Sequence, residues 1–315
     1  MDLCSCGIHG YRRFVTLGIA RFGMETRQQK TAILFLALGA ISFGFSGVLI
    51  KLCSFPPGVI ASFRMILAGV VLTPLCLKPL KQYFREKGIA GFLLLLIPGL
   101  LLGLHFQAWI IGLKRTYVAS AAFIFSINPV FFALFERFLY KRRIPGYAYV
   151  SLALVLGGAY WLFAVRGGQL GQTGDFLCLL STMLFVIYLL VSRRVSGDVP
   201  HLLYIHVIYL WGGALTLPFS LAGGQMSQVD LAATGSVLAL LGLALFPTLV
   251  GHTSSNYGVR HLSPLTVSFF TLSEPIIASI TAALILAEVP SYREFPSYAL
   301  FLGATVLYLV KSRGR

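Results

Sequence analysis

Glu274, a carboxylate inside a long apolar run and followed directly by Pro275, is the residue of this sequence best placed to do chemistry. A charge at bilayer depth costs about 2.5–3.5 kcal/mol, so it faces a cavity or a partner. Pro275 has no N–H, which frees the carbonyl near position 271 for a ligand or ion. Glu274 therefore reads as a counter-charge for a cationic group or a carrier of a coupling proton. The alternative is a protonated acid that only bonds a neighbouring helix. Asn128-Pro129 repeats the pattern in an earlier run. Paired proline interruptions in corresponding segments point to a transport site, although two inherited kinks would give the same spacing.

A second group of polar residues shares one helical face. His252 follows Thr248 by four residues, and Ser255 and Asn256 follow His252 by three and four, on an otherwise apolar stretch, the spacing that puts side chains in one stripe. Such a stripe lines a cavity or joins helices, and His252 and Asn256 are assigned here to a cavity. His105, with Trp109 one turn later, is the near counterpart in an earlier run, and Tyr188 shares a face with Ser181 and Phe185. Arg64 sits seven residues into its apolar run. It is expected to pair structurally or to snorkel towards the surface, with an anionic ligand as a third option. Gly39, Gly44 and Gly47 read as positions of close helix approach.

These residues need elements to hold them, and composition limits the choice. Of 315 residues, 57% are hydrophobic and 11% charged, and the mean hydropathy is +0.84. Soluble domains carry roughly 25% charged residues. A soluble fold, a disordered chain and a disulfide scaffold are all excluded. The net charge of +15 would suggest nucleic acid in a soluble protein. Here the basic residues fall mostly between apolar runs, so they fix topology instead and no nucleic-acid partner is expected. The five cysteines include one close pair, Cys4 and Cys6, which gives neither a disulfide framework nor a zinc site. No cofactor motif is present.

Apolar runs and turn signals predict an all-α integral membrane protein with spans at 31–50, 57–77, 89–112, 117–139, 145–165, 173–192, 201–221, 233–257, 263–287 and 295–311. Residues 1–30 form a basic tail, and Met24 offers an alternative start. With the N-terminus inside, 19 of the 25 Lys and Arg lie on the cytoplasmic side and five outside, with Arg64 in a span. That bias places both termini in the cytoplasm.

The chain also resembles itself. Shifted by 146 residues, Gly112–Pro129 lies over Gly258–Pro275 without a gap, and Ala153–Gly157 over Ala299–Gly303. Nearer the start of each half the shift is 142, which sets Lys51 over Arg193 and Arg64 over His206. Two halves, 31–165 and 173–311, thus hold five spans each. An odd number inverts the second half, giving the ten-helix inverted-repeat frame of secondary transporters with a site at the midplane.

Several of these features together resemble the drug/metabolite transporter superfamily, EamA type. They are Phe43-Gly44-Phe45-Ser46 in the first span, the intramembrane Arg64, the paired Asn128-Pro129-Val130 and Glu274-Pro275-Ile276, and Ala287-Glu288-Val289-Pro290, similar to the family's Gly-Glu ending of the ninth helix. Tyr140-Lys141-Arg142-Arg143 departs from the pattern by replacing the expected acid with bases. The resemblance implies a ten-helix permease rather than an enzyme, and leaves the substrate open among amino acids, nucleosides, sugars and drugs. The reading preferred here is a secondary exporter of small polar metabolites, an amino acid or similar zwitterion first, in the cell membrane. Glu274 answers an ammonium group or a coupling proton, while Asn128, His252 and Asn256 donate hydrogen bonds. The rival is an intramembrane enzyme acting on lipid or isoprenoid substrates, which would gather its polar residues near one face.

Overall fold

The structure is a computed structural model that describes residues 27–116, 118–165, 167, 173–197 and 199–313. The tail with Cys4, Cys6 and Met24 lies outside the described residues. Every regular element among the described residues is helical: α1 (Arg27–Gly44), α2 (Ser46–Leu52), α3 (Pro57–Leu113), α4 (Val118–Ser126), α5 (Asn128–Leu139), α6 (Gly146–Val165), α7 (Thr173–Val195) and α8 (His201–Leu221), then α9 (Thr234–Leu243), a π-helical stretch (Ala244–His252), α10 (Thr253–His261), α11 (Pro264–Thr271), α12 (Glu274–Leu286) and α13 (Phe295–Arg313). Eight helical segments are long and apolar enough to cross a membrane.

The structure departs from the expected spans in two ways. First, the spans expected at 57–77 and 89–112 are not separated by a loop. The helix formers between Lys78 and Lys87 carry the helix on to Gly88, whose φ of 63° and ψ of −167° break it. Only glycine takes such a conformation without steric cost. Second, several expected spans are interrupted. α1 gives way to α2 at Phe45, α4 to α5 at Ile127, and α11 to α12 at Leu272 and Ser273. Between α9 and α10 the helix widens into the π-helical stretch, which contains Pro247. Proline cannot supply the N–H that the Leu243 carbonyl would receive from position 247 in an α-helix. The Thr248 hydroxyl donates to that carbonyl instead, at 2.7 Å.

Small residues let the helices approach. α3 packs most extensively on α8 and then α7. A Cβ on Gly212 of α8 would lie 2.3 Å from the Gly99 carbonyl oxygen of α3, and one on Gly44 would lie 2.3 Å from Ile277. Gly39 is similarly confined by Ser254, whereas Gly47 has nothing within 4 Å and needs no small side chain. Backbone contact of this kind gives apolar helices dispersion energy that lipid cannot match.

Several irregularities recur at the 146-residue shift. The two non-glycine residues with positive φ among those described are Lys141 (52°) and Ala287 (55°). The Arg142 N–H reaches back to the Glu136 carbonyl at 3.3 Å, as the Glu288 N–H does to the Ala282 carbonyl at 3.2 Å. Breaks after Ser126 and after Thr271 precede Asn128 and Glu274 respectively. Glu288 also accepts Lys51 Nζ at 2.8 Å, tying the end of α2 to the segment after α12.

Candidate functional site

The helix interruptions converge on one small cavity. Phe43 and Ser46 flank the break at Phe45. Phe125 precedes the break at Ile127, His252 closes the π-helical stretch, and Glu274 opens α12. Arg64, His105, Phe106 and Trp109 of α3 and Phe185 of α7 complete the wall. Interrupted helices expose backbone dipoles and re-aim side chains, and in apolar surroundings they are tolerated where they line a cavity or are buried in protein.

Glu274 sits where its sequence suggested, on the cavity wall at the first residue of α12. Arg64 is in the same wall, 1% exposed. It does not snorkel. Its Nε donates to Thr248 Oγ1 at 2.8 Å, and its guanidinium lies 4.1 Å from the centre of the Phe106 ring. Thr248 passes the bond on to Leu243, so its hydroxyl both accepts and donates. Snorkelling fails because the residue faces α8 and the π-helical stretch rather than lipid, and a polar partner is nearer than the surface.

His105 and His252 line the cavity and lie side by side, ring centres 5.9 Å apart. His105 Nδ1 is 2.9 Å from the Ser181 carbonyl and 2.8 Å from its hydroxyl, which fixes the ring. The His252 ring is held edge-on between Phe43 and Phe106, at 4.9 and 4.8 Å. Its Nδ1 is buried with no hydrogen-bond partner among the described residues. Trp109 stacks obliquely on Phe125, 5.2 Å away.

Three other expected residues do not line this cavity. Asn128 is fully buried and joins the two helix breaks, donating to Thr271 Oγ1 at 3.0 Å and to the Phe125 carbonyl at 2.9 Å. Asn256 donates to the Tyr188 hydroxyl and to the His252 carbonyl at 2.7 Å, so both side chains fasten α10 to α7 behind the wall. Pro129 and Pro275 also lie outside the lining and act through the breaks they impose.

The sequence did not single out the aromatic lining contributed by Phe43, Phe106 and Phe125; the nearness of Phe43 and Phe125 to helix breaks was the available signal. Nor did it mark a buried polar network that needed tertiary structure to appear. Ser220 Oγ donates to the Gly58 carbonyl at 2.8 Å and lies 3.0 Å from Ser62 Oγ, to which Gln107 Nε2 donates at 3.0 Å. That network knits α3 to α8 away from the cavity.

Residues 30–164 and 172–310 each match the model of the EamA-like transporter family. An uncharacterized transporter of Clostridium kluyveri is 22% identical over 272 residues, covering 82% of this chain and 86% of the relative. The uncharacterized inner membrane transporter YedA of Escherichia coli K12 is 23% identical over 262 residues, covering 81% and 82%. A solved crystal structure superposes with a TM-score of 0.72 over 90% of this chain and 98% of its own, at 17% identity, a likeness of fold.

Proposed function

Because this chain belongs to the EamA-like transporter family, we propose that it is a secondary exporter of small polar metabolites, first among them amino acids and similar zwitterions, that binds its cargo in the cavity at Glu274. It is a multi-pass membrane protein, and its eight long apolar helical segments agree with that. The observation that carries the substrate reading is the carboxylate itself: Glu274 opens a half-helix on the cavity wall, surrounded by aromatic rings. An ammonium group would meet its counter-charge there while an apolar side chain met the rings. The same carboxylate is the group available to carry a coupling proton.

The transport cycle in this proposal runs on ten spans in two inverted repeats. The Gly88 break divides α3 into stretches of 31 (57–87) and 25 (89–113) residues, roughly 46 and 37 Å at 1.5 Å per residue, each enough for the ~30 Å hydrocarbon core. Divided at Gly88 it gives two spans, and α4 with α5 gives one more, which raises the eight to ten. The two separate family matches and the recurrence of breaks at a 146-residue shift support the repeat. The excess of basic residues on one side supports cytoplasmic termini.

Counterflow of labelled solutes in proteoliposomes containing the full chain tests the reading. Accumulation of a small polar metabolite is expected. Its absence across amino acids, nucleosides and sugars, with turnover of a lipid substrate instead, would give the protein to the intramembrane-enzyme alternative.

A further inference from the structure

A basic and an acidic side chain share the cavity without bonding to each other. Arg64 and Glu274 both line it, yet they do not meet as an ion pair. Among the described residues that contact is made by Lys51 and Glu288 alone. The Glu274 carboxylate makes no hydrogen bond among the described residues. Arg64 uses one of its five N–H donors, on Nε, for Thr248, and Phe106 covers one face of the guanidinium. Its two terminal amino groups are bonded to no described residue. An arginine carrying such a free edge presents the planar fork that matches a carboxylate.

We propose that Arg64 is the second binding charge of the site, holding the carboxylate of the transported molecule while Glu274 holds its ammonium group. The cavity then selects zwitterions and rejects ions of a single sign. This rests on the transport reading given above. Its basis is the cost of leaving a charge uncompensated in a poorly solvated place. A simple amine would satisfy Glu274 and leave Arg64 unpaired, and a simple carboxylic acid would do the reverse. A molecule with both charges answers both residues at once. The Arg64 fork is positioned before the ligand arrives, because the Thr248 hydroxyl is itself anchored on the Leu243 carbonyl, so little ordering is needed on binding. His252 Nδ1, buried in the same wall and unpartnered, supplies a third polar contact beside the two charges.

The test uses purified full-length protein in nanodiscs and two ligand sets: leucine with isopentylamine and 4-methylpentanoate, and phenylalanine with phenethylamine and 3-phenylpropanoate. The wild type is expected to bind each amino acid roughly 10- to 100-fold more tightly than its amine or its acid, the range for losing a hydrogen-bonded charge contact. Arg64→Gln should bring the amino acid down to the level of the amine. Glu274→Gln should bring it down to the level of the acid. Arg64→Lys keeps the charge without the fork, so preference for the amino acid over the amine should persist at lower affinity. Circular dichroism and a monodisperse elution profile establish that each variant is folded. If Arg64→Gln fails to fold, the wild-type ligand sets and Arg64→Lys decide the matter.

Equal binding of amine and amino acid by the wild type would overturn the proposal. So would a folded Arg64→Gln that keeps its preference for the zwitterion, or an Arg64→Lys that weakens all three ligands equally. Counterflow separates this failure from that of the transport reading. If amines move as well as amino acids, or another solute moves while neither amino acid binds, the Arg64 assignment falls and transport stands. If no small solute moves, the transport reading itself falls.

Discussion

Asn128 and Thr271 hydrogen-bond to each other across the two helix breaks, with Asn128 Nδ2 3.0 Å from Thr271 Oγ1. One residue begins α5 and the other ends α11, so the interrupted segments are fastened at the places where their backbone bonding is weakest. The bond lies behind the cavity wall to which Phe125 and Glu274 belong, and neither bonded side chain enters the cavity.

Asn128→Ala is accordingly expected to act on stability. Interhelical bonds in membranes contribute roughly 0.6–1.7 kcal/mol, and the melting temperature of the variant in detergent should fall by a corresponding margin. Ligand affinity, measured well below that temperature, should change little. A variant with native melting and lost binding would instead place Asn128 in contact with substrate.

Glu274 gives the sharpest test of transport. Glu274→Gln retains volume and most hydrogen bonding but no charge, so counterflow should drop by about tenfold or more, the weight of a charged contact, with expression unchanged. Glu274→Asp withdraws the charge by one methylene and should retain partial activity. If the acid served only as a hydrogen-bonding group in the fold, the order would reverse and Gln would be tolerated at least as well as Asp.

Glycine packing offers a pair of substitutions with opposite outcomes. Gly212→Ala drives a methyl to within 2.3 Å of the Gly99 carbonyl oxygen. The clash involves backbone on both sides and cannot be relieved by a rotamer, so the loss should be about 1–3 kcal/mol. Gly47→Ala meets nothing within 4 Å and should be neutral or gain up to about 1 kcal/mol from helix propensity. Thermal melting of the two variants side by side checks both.

Cysteine scanning addresses orientation. Lys81→Cys and Arg142→Cys should react with an impermeant maleimide only from the cytoplasm, and Arg293→Cys only from outside, since all three positions are exposed. Labelling of Lys81→Cys from outside would invert the map. Native Cys53, Cys76 and Cys178 are buried, and burial pushes the Cys53 thiol above its usual range. It should therefore label slowly at neutral pH and faster as the pH rises, because the thiolate is the reactive form.

Hydropathy makes most of the helical segments readable in the sequence, and the Asn128-Pro129 and Glu274-Pro275 pairs mark two of the breaks. Rotation of each helix about its axis is not readable there. α3 and α8 are apolar nearly all round, so nothing in the sequence says that Arg64 turns inward to Thr248 rather than outward to the headgroups. The stripe from Thr248 to Asn256 assumes an ideal α-helix. The π-helical stretch ends at His252, and beyond it Asn256 meets Tyr188 behind the cavity while His252 stays in its wall. Ser62, Gln107 and Ser220 come from distant parts of the chain, and nothing local announces their network.

The clasp between Lys51 and Glu288 joins the first half of the chain to the second, and its side chains are 41% and 55% exposed. Exposed pairs contribute only about 0–1 kcal/mol, comparable with thermal energy. Such a bond joins the two halves at that end without locking them. It opens and recloses on thermal fluctuation and needs no dedicated trigger. Dissolved salt loosens it further, since the screening length is about 8 Å at physiological ionic strength and shortens as ions are added. How much of the time the two halves stay joined there thus depends in part on the ionic strength of the solution bathing the pair.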